Sequence, residues 1–214
     1  MSLLIDSAII SEVAEASKWG WISGVTTNPT LLAKSEYSPE DTLRRLADLI
    51  SGQIYYQLMA KTEPSMLKEA EAAHMILGDQ LVLKIPATEN GFKIVSTLSS
   101  DIPCAVTALF SSSQAMVAEA AGAQNIIIYY NRSIRLMNDG LSFIQESISV
   151  LKGTNTGTIA ASLKSTEEIV AAKLAGIEHF TVPYSLLKKM SYAELSESAI
   201  KDFDNTGTGL NSSK

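Results

Sequence analysis

Short runs of apolar and β-branched residues recur along the chain at nearly even intervals, and most are separated by stretches with helical periodicity. Eight runs read as strands: Leu3–Asp6, Gly24–Thr27, Ile54–Met59, Leu81–Ile85, Pro103–Ala108, Ile126–Tyr130, Thr158–Ala161 and His179–Val182. Helices are predicted between them over Ser11–Trp19, Pro39–Ser51, Glu63–Leu77, Gly91–Leu98, Ser112–Ala121, Gly140–Leu151 and Ser165–Leu174. Two more, Tyr184–Met190 and Tyr192–Phe203, follow the last strand. Ser38-Pro39-Glu40 reads as a helix start, Ser165 followed by Glu168 resembles a capping box, and Gly122 and Gly176 fall where helices should stop. Regular strand–helix alternation implies a parallel sheet. Eight strands at this length favour an α/β fold closed into a (β/α)8 TIM barrel, with an open doubly wound sheet as the alternative that periodicity does not separate. Residues 1–203 read as one domain, the barrel plus its C-terminal helices, and 204–214, rich in Gly, Ser, Asn and Thr, as a flexible tail.

The stretch Leu81–Thr88, LVLKIPAT, breaks the pattern in one informative way. Its apolar residues argue for a strand buried on both faces, yet Lys84 sits in the middle. Burying an ammonium costs several kcal/mol, and a lysine can escape that cost by losing its proton. A neutral amine attacks carbonyls. The ordinary alternative is an edge-strand lysine that reaches its head to water.

Ligands of a parallel barrel meet the C-terminal strand ends. Polar residues accumulate there: Asp6 on the first strand, Thr26 and Asn28 on the second, Gln57 on the third, Lys84 on the fourth and Thr107 on the fifth. Tyr129 and Arg132 belong to the sixth, Ser162 and Lys164 to the seventh. Taken singly, each has a structural explanation, such as a helix cap for Asp6 or a β-former for Thr26. Together, polar groups converging on a buried amine make a catalytic arrangement. Its chemistry would be Schiff-base catalysis: Lys84 captures a ketone, and the imine draws electrons from a neighbouring carbon–carbon bond until it breaks. Gln57, Thr107 and Tyr129 would hold a water or shuttle protons, with Asp6 orienting hydroxyls or joining the proton transfer. Arg132, Ser162 and Lys164 form a candidate phosphate clamp.

Bulk properties narrow the field further. The chain of 214 residues has a formal charge of −6, so it carries no basic field for nucleic acid or an anionic membrane. Any phosphate must then be held by a local cluster. One cysteine, Cys104, allows no internal disulfide and suits a reducing compartment. No apolar run approaches a membrane span and Met1–Ile10 has no basic leader, so a cytoplasmic location is expected. His74 and His179 lack a third ligand, so no metal is expected. Gly153–Gly157 lacks the Gly-Lys-Ser/Thr ending of a phosphate loop and reads as a turn. Trp19 and Trp21 read as packing residues.

GVTTNPTLLAKS (Gly24–Ser35) resembles the second-strand signature of the transaldolase family, and LVLKIPAT its Schiff-base lysine strand. YYNR resembles the family's sixth strand and IAASLKS (Ile159–Ser165) its phosphate-binding seventh. The likeness runs in order from Leu3 to about Phe203. It implies a (β/α)8 barrel, no cofactor, sugar-phosphate substrates, and transfer of a dihydroxyacetone unit through a lysine enamine. Small transaldolases typically carry Glu on the third strand and Phe on the sixth, whereas fructose-6-phosphate aldolases carry Gln and Tyr. Gln57 and Tyr129 match the aldolases. Ile127 and Ile128 are bulkier than the residues common there, which suggests a narrower range of acceptors. The expected activity is reversible cleavage of fructose 6-phosphate. Transaldolase is the near alternative, and a non-catalytic sugar-phosphate sensor the remote one. The family also implies a homo-oligomer, pentamer or decamer, assembled through C-terminal helices such as Tyr192–Phe203.

Overall fold

The computed structural model describes residues 1–210. Eight parallel strands pair in chain order: β1 (Leu3–Asp6), β2 (Gly24–Thr26), β3 (Gln53–Gln57), β4 (Leu81–Pro86), β5 (Cys104–Thr107), β6 (Asn125–Tyr129), β7 (Gly157–Ala161) and β8 (His179–Val182). β1 also pairs with β8, so the barrel closes and the open sheet is excluded. Helices cover the outside: α1 (Ile10–Ala16), α2 (Pro29–Leu32), α3 (Pro39–Leu49), α4 (Glu63–Leu77), α5 (Glu89–Leu98) and α6 (Ser112–Ala120). They continue as α7 (Tyr130–Leu136), α8 (Gly140–Val150), α9 (Thr166–Leu174), α10 (Tyr184–Met190) and α11 (Glu194–Thr206). No helix among the described residues is long and apolar enough to cross a membrane.

Two helices escaped the pattern reading. The four residues of α2 are too few to show a period. Tyr130, expected in a strand, opens α7 instead and buries its ring in the outer core. Helix α11 runs past Phe203 to Thr206, into the stretch expected as tail, and residues 211–214 lie outside the described part.

The two-residue strand period sorts side chains into two cores. Ile5, Val25, Ile54, Leu83, Ile85, Val106, Ile128 and Phe180 point outward and pack beneath the helices. Leu4, Tyr55, Val82, Ala105, Ile127 and Ile159 point inward and fill the middle of the barrel. Two residues further on, the inward positions of β1, β3, β4, β5 and β6 become polar (Asp6, Gln57, Lys84, Thr107 and Tyr129), while β7 keeps the apolar Ala161. Register places Asp6 beside Thr26, and Gln57 beside Lys84. The apolar plug thus forms the floor of a polar mouth at the C-terminal strand ends.

Helix starts are capped where the loops demand it. Ser38, Thr88, Ser111, Asp139 and Ser165 each accept a hydrogen bond from the amide three residues on. Gly122 and Gly176 both have positive φ after α6 and α9, as expected of helix-stop glycines. Trp19 stacks on Trp21 and on Tyr184, with ring centroids 5.1 and 5.7 Å apart. Cys104 is fully buried, and desolvation pushes its thiol pKa up to about 12.

Candidate active site

Each residue of the Gly24–Pro29 segment has a distinct local task. Gly24 passes so close to β3 that any Cβ there would strike the Gln53 carbonyl oxygen. Val25 packs in the outer core, while Thr26 turns inward and donates to Asp6 Oδ1 at 2.8 Å. Thr27 spends its hydroxyl and its amide on the Tyr55 carbonyl, leaving its own carbonyl facing the barrel interior. Asn28 caps α2 by accepting from the Leu31 amide at 3.0 Å, and Pro29 takes the first helical position.

Lys84 is 3% exposed, and its Nζ donates to that Thr27 carbonyl at 2.9 Å. Burial holds its pKa below the usual lysine value of 10.5, and the negative charge of Asp6 partly opposes the shift. Among the described residues, no carboxylate pairs with the amine directly. The lysine is therefore an inward, desolvated amine at the base of the barrel mouth, and the edge-strand alternative is excluded.

Above it opens a cavity of about 490 Å³, a size suited to a small ligand. Eight of the residues singled out from the sequence line it: Asp6, Asn28, Gln57, Lys84, Tyr129, Arg132, Ser162 and Lys164. The other two, Thr26 and Thr107, are fully buried one layer behind the wall. Thr26 supports Asp6, and Thr107 donates to the Tyr129 hydroxyl oxygen at 2.9 Å. That bond occupies the phenol's oxygen and frees its proton for the cavity.

Arg132, Ser162 and Lys164 lie together at one side. The Arg132 guanidinium sits 4.6 Å from the Tyr129 ring centre, held by a cation–π contact. Ser162 has φ +60, a left-handed conformation that costs a non-glycine residue on the order of 1–3 kcal/mol. Ala108, the first residue after β5, has φ +57.

Reasoning from the sequence missed Thr181, which completes the ring from β8, lines the cavity and hydrogen-bonds Thr26. The signal was available, since Thr181 is the only polar residue between His179 and Pro183. Met59, at the rim beyond Gln57, was missed as well. Ile127 points into the apolar plug and Ile128 into the outer core, and neither lines the cavity. Their bulk therefore bears on packing, which removes the basis for expecting a narrower range of acceptors.

Comparison with known proteins identifies a family. A family model described as "Transaldolase/Fructose-6-phosphate aldolase" matches residues 3–212. A protein named "Probable transaldolase" from Kosmotoga olearia is 32% identical, over 98% of this chain and 100% of its own. Another of that name from Clostridium kluyveri is 34% identical, over 95% of both chains. Among solved structures, a mandelate oxidase variant superposes with a TM-score of 0.60 at 16% identity, which speaks for the barrel fold alone. That match covers 86% of this chain and 65% of the oxidase.

Proposed function

The chain belongs to the transaldolase/fructose-6-phosphate aldolase family, an enzyme family, and from that premise we propose that it is a class I aldolase acting through Lys84. The reaction would be reversible cleavage of fructose 6-phosphate to dihydroxyacetone and glyceraldehyde 3-phosphate. The observation that carries this reading is the buried amine, with no carboxylate in direct contact among the described residues, at the foot of a polar cavity.

In this reading the neutral Lys84 amine attacks the ketone carbon, and loss of water leaves an iminium. A base takes the proton of the hydroxyl on the carbon β to the iminium. The α–β carbon bond breaks, glyceraldehyde 3-phosphate leaves, and the electron pair rests in an enamine. Protonation of the enamine and hydrolysis of the imine release dihydroxyacetone and restore the amine. Gln57 sits beside Lys84 and Asp6 lines the same cavity, and the two would hold the water that moves these protons. Tyr129, with its proton free, is the donor for the enamine, and Thr107 positions it. Thr26 steadies Asp6, and the Asn28 amide, its oxygen spent on the cap, donates to a substrate hydroxyl. Arg132, Ser162 and Lys164 hold the phosphate, an isolated cationic patch on a chain of net charge −6.

Transaldolase, passing the same unit to an aldose phosphate, is the second reading, favoured by the names of the relatives. Gln57 and Tyr129 favour free cleavage, because a proton donor beside the enamine discharges it without an acceptor. Omitting the acceptor decides between them. Sustained release of glyceraldehyde 3-phosphate from fructose 6-phosphate alone supports the aldolase, and strict dependence on added erythrose 4-phosphate overturns it.

A homo-oligomer, pentamer or decamer, is part of the same reading. Helix α11 buries none of its residues and exposes Leu195 and Phe203, a face that suits a neighbouring subunit. Light scattering on the full chain tests it, and a monomeric mass contradicts it.

A further inference from the structure

Three carboxyl or amide side chains on the outer helices reach back to the loops of the barrel mouth. Glu69 accepts from the Met59 and Ala60 amides and from the Tyr56 hydroxyl, and Gln114 accepts from the Phe110 amide. The third, Glu168, does something more specific. Its amide is capped by Ser165 Oγ, yet its carboxylate does not return to the Ser165 amide as a capping box would. One oxygen accepts from the Lys164 amide at 2.8 Å, and the other from Asn131 Nδ2 at 2.7 Å. Asn131 immediately precedes Arg132 on α7, and Lys164 follows Ser162 by two residues on the β7–α9 loop. A single half-buried carboxylate therefore ties together the two segments that carry the cationic patch.

We propose that Glu168 is a positioning residue that sets the spacing between Arg132 and the Ser162–Lys164 loop, and so controls recognition of the substrate's phosphate. This rests on the reading that those three residues hold the phosphate. The placement is otherwise costly, since a negative charge beside a phosphate site repels the ligand. Both oxygens are committed to protein donors, so the repulsion is accepted in exchange for fixed geometry. A clamp displaced by about 1 Å loses much of its grip.

The two effects of Glu168 have opposite signs in a glutamine variant, which makes the proposal testable. Glu168→Gln removes the charge but also leaves one carbonyl oxygen where two acceptors are needed. If only charge mattered, phosphate would bind more tightly; if spacing matters, it binds less well. The measurement is kcat/KM for erythrose 4-phosphate against erythrose as acceptors. The three-carbon unit is loaded from dihydroxyacetone or, if the enzyme demands a ketose phosphate, from fructose 6-phosphate. In this ping-pong scheme the acceptor's kcat/KM reports only its capture by the loaded enzyme, whichever donor is used.

Glu168→Gln and Asn131→Ala should each lower the phosphorylated-to-unphosphorylated ratio by about fivefold to tenfold, through KM, with kcat moving less than twofold. The double variant Asn131→Asp/Glu168→Gln restores a donor–acceptor pair across the bridge and should recover most of the ratio. An equal loss with both acceptors, or a ratio raised in Glu168→Gln, overturns the proposal. Should Glu168→Gln fail to fold, Asn131→Ala alone decides. Arg132→Ala separates the two levels. If it leaves the ratio unchanged, the phosphate-clamp reading falls and the proposal with it. If it collapses the ratio while the Glu168 and Asn131 variants do not, only the proposal falls.

Discussion

Lys84 Nζ reaches across the barrel mouth from β4 and donates to the Thr27 carbonyl at the end of β2, 2.9 Å away. That one neutral acceptor is what the amine receives in return for full burial, and the pKa of Lys84 is lowered accordingly. The unfolded chain then binds more protons than the folded one between the lowered value and 10.5, so stability rises with pH across that window. Below the window the buried cation is a net cost.

Replacing Lys84 with Met should therefore stabilise the protein at neutral pH, by about 2 kcal/mol or some 4–8 °C in Tm. The gain should shrink as pH rises toward 10.5, the unfolded value, above which the parent's lysine becomes neutral in both states. Thermal unfolding of both proteins from pH 7 to 10 checks the sign. A variant less stable than the parent at pH 7 would contradict the desolvation argument.

Asp6 raises the Lys84 pKa against the larger effect of burial. Asp6→Asn removes that charge, so the limb of the pH–kcat/KM profile set by Lys84 deprotonation should move to lower pH. If Asp6 belongs to the proposed proton shuttle, turnover at the optimum should fall by on the order of 10². A limb that stays in place would mean that the two groups do not sense each other.

Thr107 donates to Tyr129, leaving the phenol's proton as the one directed at the cavity. Tyr129→Phe should cut free cleavage by on the order of 10² while the transfer rate to an added aldehyde falls far less. Thr107→Val, which lets the phenol turn, should give a smaller change in the same direction. Equal losses in cleavage and transfer would remove the enamine-protonation role.

Gly24 faces the Gln53 carbonyl oxygen, so its role is close approach of two strands, with no chemical part to play. Gly24→Ala should destabilise by about 2 kcal/mol through overpacking, or some 4–8 °C in Tm. Once folded, it should still show an ordinary KM. Calorimetry and steady-state kinetics on the same preparation check both halves.

Strand and helix positions were legible because a barrel strand repeats every two residues and its covering helix every 3.6. Closure was expected from the number of strands and the family resemblance and not from periodicity, since pairing of β1 with β8 joins residues more than 170 apart and leaves no periodic trace. Helix α7 was hidden because its buried positions are Tyr130 and the polar Ser133, while its apolar Ile134 and Leu136 are exposed. The lining of the cavity was mostly legible from polar residues at strand ends. Which of them touch it was not: Thr26 and Thr107 stand one layer behind, a matter of depth that alternation does not encode. The left-handed turn at Ser162 and the bridge from Glu168 to Asn131 depend on the assembled loops, and no local pattern announces them.

The most direct measurement of the central claim is borohydride reduction in the presence of dihydroxyacetone, read by peptide mass spectrometry. The account predicts loss of activity with one reduced three-carbon unit attached at Lys84, and no labelling of the Lys84→Met protein. Turnover that survives reduction, or a label on any other lysine, would contradict it.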